Sequence, residues 1–288
     1  KHKITGDTMR EIEASQITSA VKQLFIKASY HLPEDVKNAL LKAIQNETTN
    51  AAKQVLEILL ENAQIAAQND FPLCQDTGMA FVFVELGQDV HICGGLLEDA
   101  VNAGVEQAYD EGFLRKSVVE DPLRRKNTGN NLPAVIFTEI VAGDKIKLTV
   151  MPKGFGAENQ SRLKMMIPAT TPDEIVDFIA NEVIASGSKG CPPAVIGVGI
   201  GGSFDTVAHM AKKALLLPID GHNEDPFYAD MEKKILEKIN NSGIGPMGVG
   251  GKTTVLSVRI LAAPTHIAGL PLAYNYCCHS TRHADIEL

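Results

Sequence analysis

From Pro72 onward the chain alternates short apolar runs with helical stretches, and this alternation constrains the possible folds more than any other feature of the sequence. Apolar runs of this length, bounded by Gly and Pro, are typical of buried β-strands. They predict strands over residues 79–86, 134–141, 145–151, 194–200, 254–261 and 270–276, and helical spacing predicts helices over 96–109, 173–185, 204–215 and 225–240. Strands and helices that alternate in this way favour an α/β or mixed α+β fold in which helices flank a mixed sheet.

The first seventy residues have a different pattern, because their apolar residues recur at helical spacing without intervening strands. Val21, Leu24 and Phe25 share one helix face, and a second apolar group lies within residues 56–63. Pro33, followed by two acidic residues, predicts a helix start between these stretches. A length of 288 residues allows one large domain or two modest ones. We therefore expect a helical lead-in over residues 1–70 packed on a main α/β domain over 71–288, or one continuous domain over 1–288.

The charge of the chain argues against several classes of partner. The formal net charge is -8, so the chain as a whole does not attract phosphate backbones or anionic lipids. Lys1, Lys3, Asp7 and Arg10 lie where a secretory signal peptide would need an apolar core. No later stretch reaches the roughly 18 uncharged apolar residues of a membrane span. We expect a cytoplasmic protein that binds neither nucleic acid nor membrane.

Two glycine-rich segments imitate phosphate-binding motifs. Residues 197–202 fit the G-x-G-x-x-G fingerprint of dinucleotide-binding folds, but the segment expected to form the second strand, 215–219, is short and interrupted by Pro218. A tight turn between a strand and a helix is the favoured interpretation, and a dinucleotide-dependent oxidoreductase is the less favoured one. Residues 245–253 imitate a Walker A loop, but Pro246 stands where that motif requires glycine. The backbone amides of that loop could still suit an anion other than a nucleotide.

Three of the five cysteines lie in segments where the chain is expected to turn. Cys74, Cys191 and Cys278 have polar, Gly or Pro neighbours and are separated by 117 and 87 residues. A cysteine that only fills a core lies within a strand or helix, which describes Cys93 better. An odd number of cysteines without close C-x-x-C pairs argues against a disulfide framework and a structural zinc site. Inert thiols, a catalytic cysteine with a nearby histidine, and an iron–sulfur cluster with one open iron remain as interpretations.

Four sequence blocks, in the same order, resemble the α subunit of the class I, iron–sulfur fumarate hydratase and L-tartrate dehydratase family. They are residues 73–78, 153–159, 190–193 with the glycine-rich turn that follows, and the cysteine–histidine–arginine tail that ends at His283. The resemblance extends from about Pro72 to His283 and is looser over the helical lead-in. Because four separate blocks agree in order, chance similarity is a poor explanation.

This resemblance implies a hydro-lyase that reversibly hydrates the double bond of a small dicarboxylate. The leading reaction is the conversion of fumarate to L-malate, as in the tricarboxylic acid cycle, and the alternative is dehydration of L-tartrate or a related dicarboxylate. By the same resemblance, Cys74, Cys191 and Cys278 would hold a 4Fe–4S cluster, which would make 71–288 the cluster-binding catalytic domain. The open iron would act as a Lewis acid on the substrate hydroxyl.

The resemblance also implies roles for residues around the cluster. A guanidinium fork suits a carboxylate, and backbone amides suit an oxyanion. The implied substrate contacts are Gln75, Asp76, Arg115, Gly154 and Gly156, and the implied catalytic residues are Asp76 and His266. From the residues alone, Asp76 could instead be a turn carboxylate, His266 a core histidine, and Arg115 a surface partner of Glu111 or Glu120.

The chain departs from the family pattern at two places. Cys277 precedes Cys278, so the sequence leaves open which of the two thiols is a ligand, although the position of His279 favours Cys278. The chain ends at Leu288, whereas single-chain members of the family continue into a second domain that completes the active site. We therefore expect a hetero-oligomer in which a separate β subunit supplies the second half of the site, with the α chains forming a dimer within the complex.

Overall fold

The computed structural model describes residues 9–288, so Lys1, Lys3, Asp7 and the beginning of the predicted lead-in lie outside the described residues. Internal contacts divide the chain into two units. The first contains the chain up to His31, Ala66–Lys153 and Arg282–Leu288, and the second contains Leu32–Ile65 and Gly154–Thr281. The predicted boundary at residue 70 falls within the first unit, and the first seventy residues contribute to both units.

The described chain contains ten strands and eight α-helices, with short 3₁₀ turns at Ala214–Leu216 and Pro246–Gly248. In chain order they are β1 (Arg10–Glu13), α1 (Ala14–Tyr30), α2 (Glu34–Asn46), α3 (Asn50–Asn69), β2 (Met79–Gly87), β3 (Val90–Cys93), α4 (Leu97–Glu111), β4 (Val135–Val141), β5 (Ile146–Lys153), α5 (Phe155–Glu158), β6 (Arg162–Met166), α6 (Pro172–Ser186), β7 (Ala194–Gly202), α7 (Phe204–Lys213), α8 (Pro226–Asn240), β8 (Val255–Thr265), β9 (Leu270–Cys277) and β10 (Ala284–Glu287).

The first unit is built on a four-stranded sheet in the order β10-β5-β2-β4. Strand β2 pairs antiparallel with β5 and parallel with β4. Alternate apolar residues of β2 and β5, including Val82, Val84 and Leu148, form one core with α1 and α4. The two helices approach closely because α4 carries Gly104, at which a Cβ atom would lie 2.7 Å from the carbonyl oxygen of Thr18.

The second unit is built on a four-stranded sheet in the order β6-β9-β7-β8. Strand β7 pairs parallel with β8 and antiparallel with β9, and α7 and α8 form the connection between the two parallel strands. Ile196 and Val198 of β7 belong to the apolar core that also contains residues of α6 and α8. Gly197 and Gly199 alternate with them and face α7, where added Cβ atoms would lie 2.2 Å and 2.4 Å from backbone oxygens. The two glycines therefore allow α7 to pack closely against β7.

The structure confirms the predicted α/β class, and each of the six predicted strands and four predicted helices is present within a few residues of its expected bounds. The second strand that a dinucleotide-binding unit would need at 215–219 is not formed, because Ala214–Leu216 is a 3₁₀ turn and the parallel neighbour of β7 is β8. The strands β1, β3, β6 and β10 were not predicted, because each has only four or five residues and no continuous apolar run. No helix among residues 9–288 is long and apolar enough to cross a membrane.

The packing of β7 predicts that Gly199→Ala destabilises the protein by about 1 to 3 kcal/mol, the usual cost of overpacking. The new methyl group would lie 2.4 Å from the carbonyl oxygen of Val207, a backbone atom that cannot rotate away. Urea unfolding followed by circular dichroism measures the change. Gly95→Ala is the matched control, since its methyl group would meet Ala14 Cβ at an ordinary 3.4 Å. Equal unfolding midpoints for the two variants would contradict the packing argument.

Candidate functional site

The loop that follows α3 carries the first candidate ligand, Cys74, and is fixed by hydrogen bonds within the first unit. The amide of Leu73 donates to the carbonyl of Ser29 at 2.8 Å. The amide of Gly78 donates to Oδ1 of Asp76 at 3.1 Å, which closes an Asx turn, and Gly78 has the positive φ of 76° that such a turn favours in glycine. Cys74 and Asp76 are half-buried and Gln75 is exposed. One oxygen of the Asp76 carboxylate therefore closes a turn, which is one of the two roles that the sequence left open for this residue.

Buried donors hold the carbonyl groups of the same loop. The hydroxyl of Tyr109, from the end of α4, lies 3.0 Å and 2.9 Å from the carbonyl oxygens of Thr77 and Gly78 and shares its one proton between them. Nδ2 of Asn131 donates to the Gly78 carbonyl at 3.2 Å. Burial raises the pKa of Tyr109 above its ordinary value, and the positive charge of Arg282 acts in the opposite direction. Tyr109 is therefore a neutral donor at physiological pH.

The same network brings the segment of Arg115 to the Cys74 loop. Oγ1 of Thr77 donates to the carbonyl of Arg115 at 3.0 Å. The Arg115 side chain is exposed and, among residues 9–288, makes no hydrogen bond or ion pair. Its sequence-based alternative partners are engaged elsewhere, because Glu111 pairs with Lys22 and Glu120 pairs with Lys126. The structure thus brings Gln75, Asp76 and the Arg115 segment together in the first unit.

Arg282 reaches this loop from the end of the chain. Its Nη2 donates to the carbonyl of Asp76 at 2.6 Å. The residue is 3% exposed, and its Nε and Nη1 atoms are buried with no hydrogen-bond partner among the described residues. The sequence indicated only that an arginine lies in the cysteine–histidine–arginine tail, and it could not show that the guanidinium is enclosed beside Asp76.

In the second unit, His279 joins the segments that carry Cys191 and Cys278. The backbone amide of His279 donates to the carbonyl of Cys191 at 3.3 Å, and its Nδ1 lies 3.2 Å from the same oxygen. Since a carbonyl can only accept, the ring nitrogen carries the proton in this contact. Cys191 has a φ of 54°, a left-handed conformation that the surrounding contacts hold in place. His279 therefore connects the segments of two of the three candidate ligands.

The adjacent thiols Cys277 and Cys278 have different surroundings. Cys277 is buried and pairs with Val195 as the last residue of β9, whereas Cys278 lies just beyond the strand and is half-buried. Tyr276 has its pKa raised, first by burial and then by the charges that the thiols of Cys278, Cys191 and Cys277 carry when ionised. All five cysteines of the chain are described, and none forms a disulfide. Cys278 has the more accessible position of the pair.

The segment of Gly154 and Gly156 is anchored to the strand that leads to Cys278. Gly154 precedes the short helix α5, whose Glu158 accepts a hydrogen bond from Lys212 at 2.5 Å and another from Asn275 of β9 at 3.1 Å. The amide of Tyr276 donates to Oγ of Ser161 at 3.0 Å. These contacts fix the glycine segment relative to β9 within the second unit.

His266 lies in the exposed turn between β8 and β9. Its Nδ1 accepts a hydrogen bond from the amide of Ala268 at 3.1 Å, which leaves Nε2 as the protonated nitrogen of the neutral ring. In the described part of the chain the His266 ring makes no hydrogen bond to either cysteine segment of its unit or to the glycine segment. Its exposed position also shows that it is not a buried core histidine.

The loop that imitates a Walker A motif already holds an internal anion. Glu47 is 4% exposed, and its carboxylate accepts hydrogen bonds from the amides of Lys252 and Thr253 at 2.6 Å and 3.0 Å. Burial alone would raise the pKa of Glu47, but these bonds and one from the amide of Thr48 outweigh it and lower the pKa. The loop also donates from Met247 to the carbonyl of Pro192 at 2.8 Å, next to Cys191. The glycine-rich loop therefore holds the turn that contains Cys191. Its Lys252 and Thr253 amides are already hydrogen-bonded to the carboxylate of Glu47.

Comparison with known proteins assigns the family. The family model for fumarate hydratase (Fumerase) matches residues 18–287. The chain belongs to this family. It is 40% identical over 275 residues to a Methanocaldococcus jannaschii protein provisionally named L(+)-tartrate dehydratase subunit alpha, covering 93% of this chain and 96% of that protein. It is 29% identical over 290 residues to the L(+)-tartrate dehydratase subunit alpha of Escherichia coli K12, covering 98% and 95%. The family resemblance inferred from the four sequence blocks is confirmed, and with it membership of a family of hydro-lyases.

The Glu47 network predicts that stability depends on this one carboxylate. Glu47→Gln keeps the shape but removes the charge that binds the two amides, so we expect a loss of about 1.5 to 3 kcal/mol at neutral pH. Because the folded pKa is lowered, the stabilisation is present above the ordinary carboxyl pKa and is lost as pH falls through the lower, folded value. The difference in unfolding free energy between wild type and variant should thus shrink as the medium is acidified.

Chemical denaturation at a series of pH values measures this dependence. Glu57→Gln, on an exposed position of α3, is the matched control and should leave the unfolding free energy unchanged at each pH. A Glu47→Gln variant as stable as this control at neutral pH would show that the carboxylate does not hold the loop.

Proposed function

We propose that this chain is the α subunit of an iron–sulfur hydro-lyase that acts on a small dicarboxylate. The leading reaction is the reversible hydration of fumarate to L-malate, and the alternative is the dehydration of L-tartrate or a related dicarboxylate. The family assignment over residues 18–287 supports hydro-lyase chemistry. Its family description favours fumarate, while the names of the relatives favour tartrate for those proteins.

The proposal is carried by one observation in the first unit: the thiol of Cys74 lies in the same loop network as the exposed side chains of Gln75 and Arg115. Gln75 and Arg115 are exposed, and among the described residues neither side chain is used in an internal contact. Their backbone segments are fixed through Thr77 beside the half-buried Cys74. A rigid loop that presents a guanidinium and an amide to solvent is suited to bind a carboxylate from solution.

The chemistry of the donors fits a 4Fe–4S cluster held by Cys74, Cys191 and Cys278. Soft thiolates are the usual ligands of iron–sulfur clusters, and these three cysteines occupy turns with half-buried side chains. Residues 9–288 contain no group of three or more His, Cys, Asp or Glu side chains arranged to hold a single metal ion. A cluster spaces its ligands more widely than one ion does, so the three thiols are proposed as cluster ligands only. When bound, such a cluster supplies Lewis acidity toward the substrate hydroxyl.

Residues of the chain would bind the substrate and transfer the protons. In the elimination direction a C–O bond breaks, a base takes the proton from the neighbouring carbon, and the departing hydroxyl takes up a proton, so that water leaves and a double bond forms. We propose that Arg115 and Gln75 hold a carboxylate of the substrate, and that the amides of Gly154 and Gly156 hold an oxyanion. Asp76 and His266 are the proposed proton-handling residues, His266 through the Nε2 that its contact with Ala268 leaves available.

A second subunit is part of the proposal. The relatives are named subunit alpha, which implies a companion chain for those proteins. We propose that a β subunit carries the second half of the active site here as well, within a complex that contains two α chains. A cytoplasmic location agrees with five cysteines that form no disulfide.

Substitution of the adjacent cysteines tests the cluster. After anaerobic reconstitution with iron and sulfide, we expect Cys278→Ser to lose the cluster, because a hydroxyl binds iron poorly. Cys277→Ser should retain it, since Cys277 lies within β9 and is buried. Iron and sulfide analysis together with absorption and electron paramagnetic resonance spectra measure occupancy. Loss of the cluster in the Cys277 variant alone would assign the ligand to the other thiol.

A kinetic comparison tests the substrate site. With the companion subunit present, Arg115→Gln should raise KM for the dicarboxylate about tenfold to a hundredfold, because a charge-assisted hydrogen bond contributes about 1.5 to 3 kcal/mol. Arg124→Gln, in an exposed loop, is the matched control and should leave KM unchanged. Assays with fumarate, L-malate and L-tartrate distinguish the two candidate reactions. Full activity of the α chain without a companion would contradict the half-site proposal.

A further inference from the structure

The side chain of Arg282 is a buried cation that has no anionic partner among residues 9–288. It is 3% exposed, and no carboxylate within residues 9–288 lies at ion-pair distance from it. Nη2 is used by the carbonyl of Asp76, whereas Nε and Nη1 are enclosed and unbonded. Enclosing an arginine without an anion is costly, and native proteins retain such groups when another group completes them. The cost of this arrangement points to an anion that residues 9–288 do not supply.

The position of Arg282 limits what that anion can be. Its guanidinium is bonded to the loop two residues after Cys74, and along the chain it follows Cys278 by four residues. The two unbonded nitrogens are shielded from solvent, in contrast to the exposed side chains of Gln75 and Arg115. A substrate that enters and leaves in every turnover needs exposed partners, whereas a group installed once during assembly can use enclosed ones.

We infer that Arg282 is a positioning residue that holds the Cys74 loop through Nη2 and donates from Nε and Nη1 to an anionic sulfur of the bound cluster. The inference rests on the proposed function, because it needs a cluster at these cysteines. Hydrogen bonds and positive charge at cluster sulfurs are known means by which proteins stabilise such centres. Tyr109 and Asn131 hold the neighbouring carbonyls of the loop but are neutral, so Arg282 is the charged donor among these three.

Release of iron to a chelator tests the assignment without relying on activity. The experiment uses the full chain, purified anaerobically with its companion subunit and reconstituted with iron and sulfide. Arg282→Gln removes the charge and should accelerate iron release about tenfold or more, the effect of losing one charge-assisted hydrogen bond. Arg282→Lys keeps the charge and should release iron at a rate between those of wild type and the Gln variant. In the cluster-free protein, the amides of Thr77 and Gly78 should exchange hydrogen faster in Arg282→Gln than in wild type.

Arg259→Gln is the matched control for the loss of a buried guanidinium. Arg259 is 6% exposed in the second unit, where it donates to the carbonyl of Pro218 and lies 3.7 Å from Glu232. Its substitution should leave iron release at the wild-type rate. Equal acceleration in both glutamine variants would overturn the inference, since it would report general destabilisation.

Three further outcomes are decisive. A rise in KM for the dicarboxylate in Arg282→Gln, with iron release unchanged, would show that the missing anion is a substrate carboxylate and would overturn the assignment to sulfur. Failure of the wild-type chain to take up iron and sulfide would overturn the proposed function and this inference with it. A wild type that binds the cluster, with variants that release iron at its rate, would overturn the inference alone.

Discussion

The hydrogen bonding of backbone carbonyls in the Cys74 loop is the constraint on which the first unit's candidate site depends. A loop that follows a helix and contains no regular structure has carbonyl groups that must find donors when they are buried. Here Tyr109, Asn131 and Arg282 provide those donors from three separate segments of the chain. Because the donors come from α4, a loop and the C-terminal segment, the loop acquires its shape only when the unit has folded. The exposed side chain of Gln75 is thereby held on a rigid support.

In the second unit, the conformation of the turn that contains Cys191 is fixed by different contacts. The Cys191 turn uses a left-handed residue, a contact from His279, and a glycine-rich loop that is organised by the buried carboxylate of Glu47. Gly190 is required next to it, because a Cβ atom there would lie 2.4 Å from the ring of Tyr276. In both units the candidate ligands are thus located in turns whose conformation is determined by neighbours far along the chain.

This dependence on distant contacts explains what the sequence could and could not predict. Strands such as β7 and helices such as α4 follow from local apolar patterns, so they were predicted close to their observed bounds. Short edge strands such as β10 have no such pattern, because pairing with β5 rather than local preference creates them. The four sequence blocks identified the family, but the roles of Tyr109, Asn131 and Glu47 could not be predicted, since each depends on a contact between segments separated by many residues.

A chain with a net charge of -8 can still bind a dianion, because local charges dominate at short range and salt screens the rest within about 8 Å. Arg115 and Arg282, both in the first unit, differ in exposure and therefore suit different anions. Arg115 is solvated, so exchanging water for a carboxylate at its guanidinium costs little in either direction and permits turnover. Arg282 is enclosed, so an anion bound to it would be shielded from exchange with solvent. The same side-chain chemistry therefore suits a transient ligand at one position and a permanent one at the other, and burial alone makes the distinction.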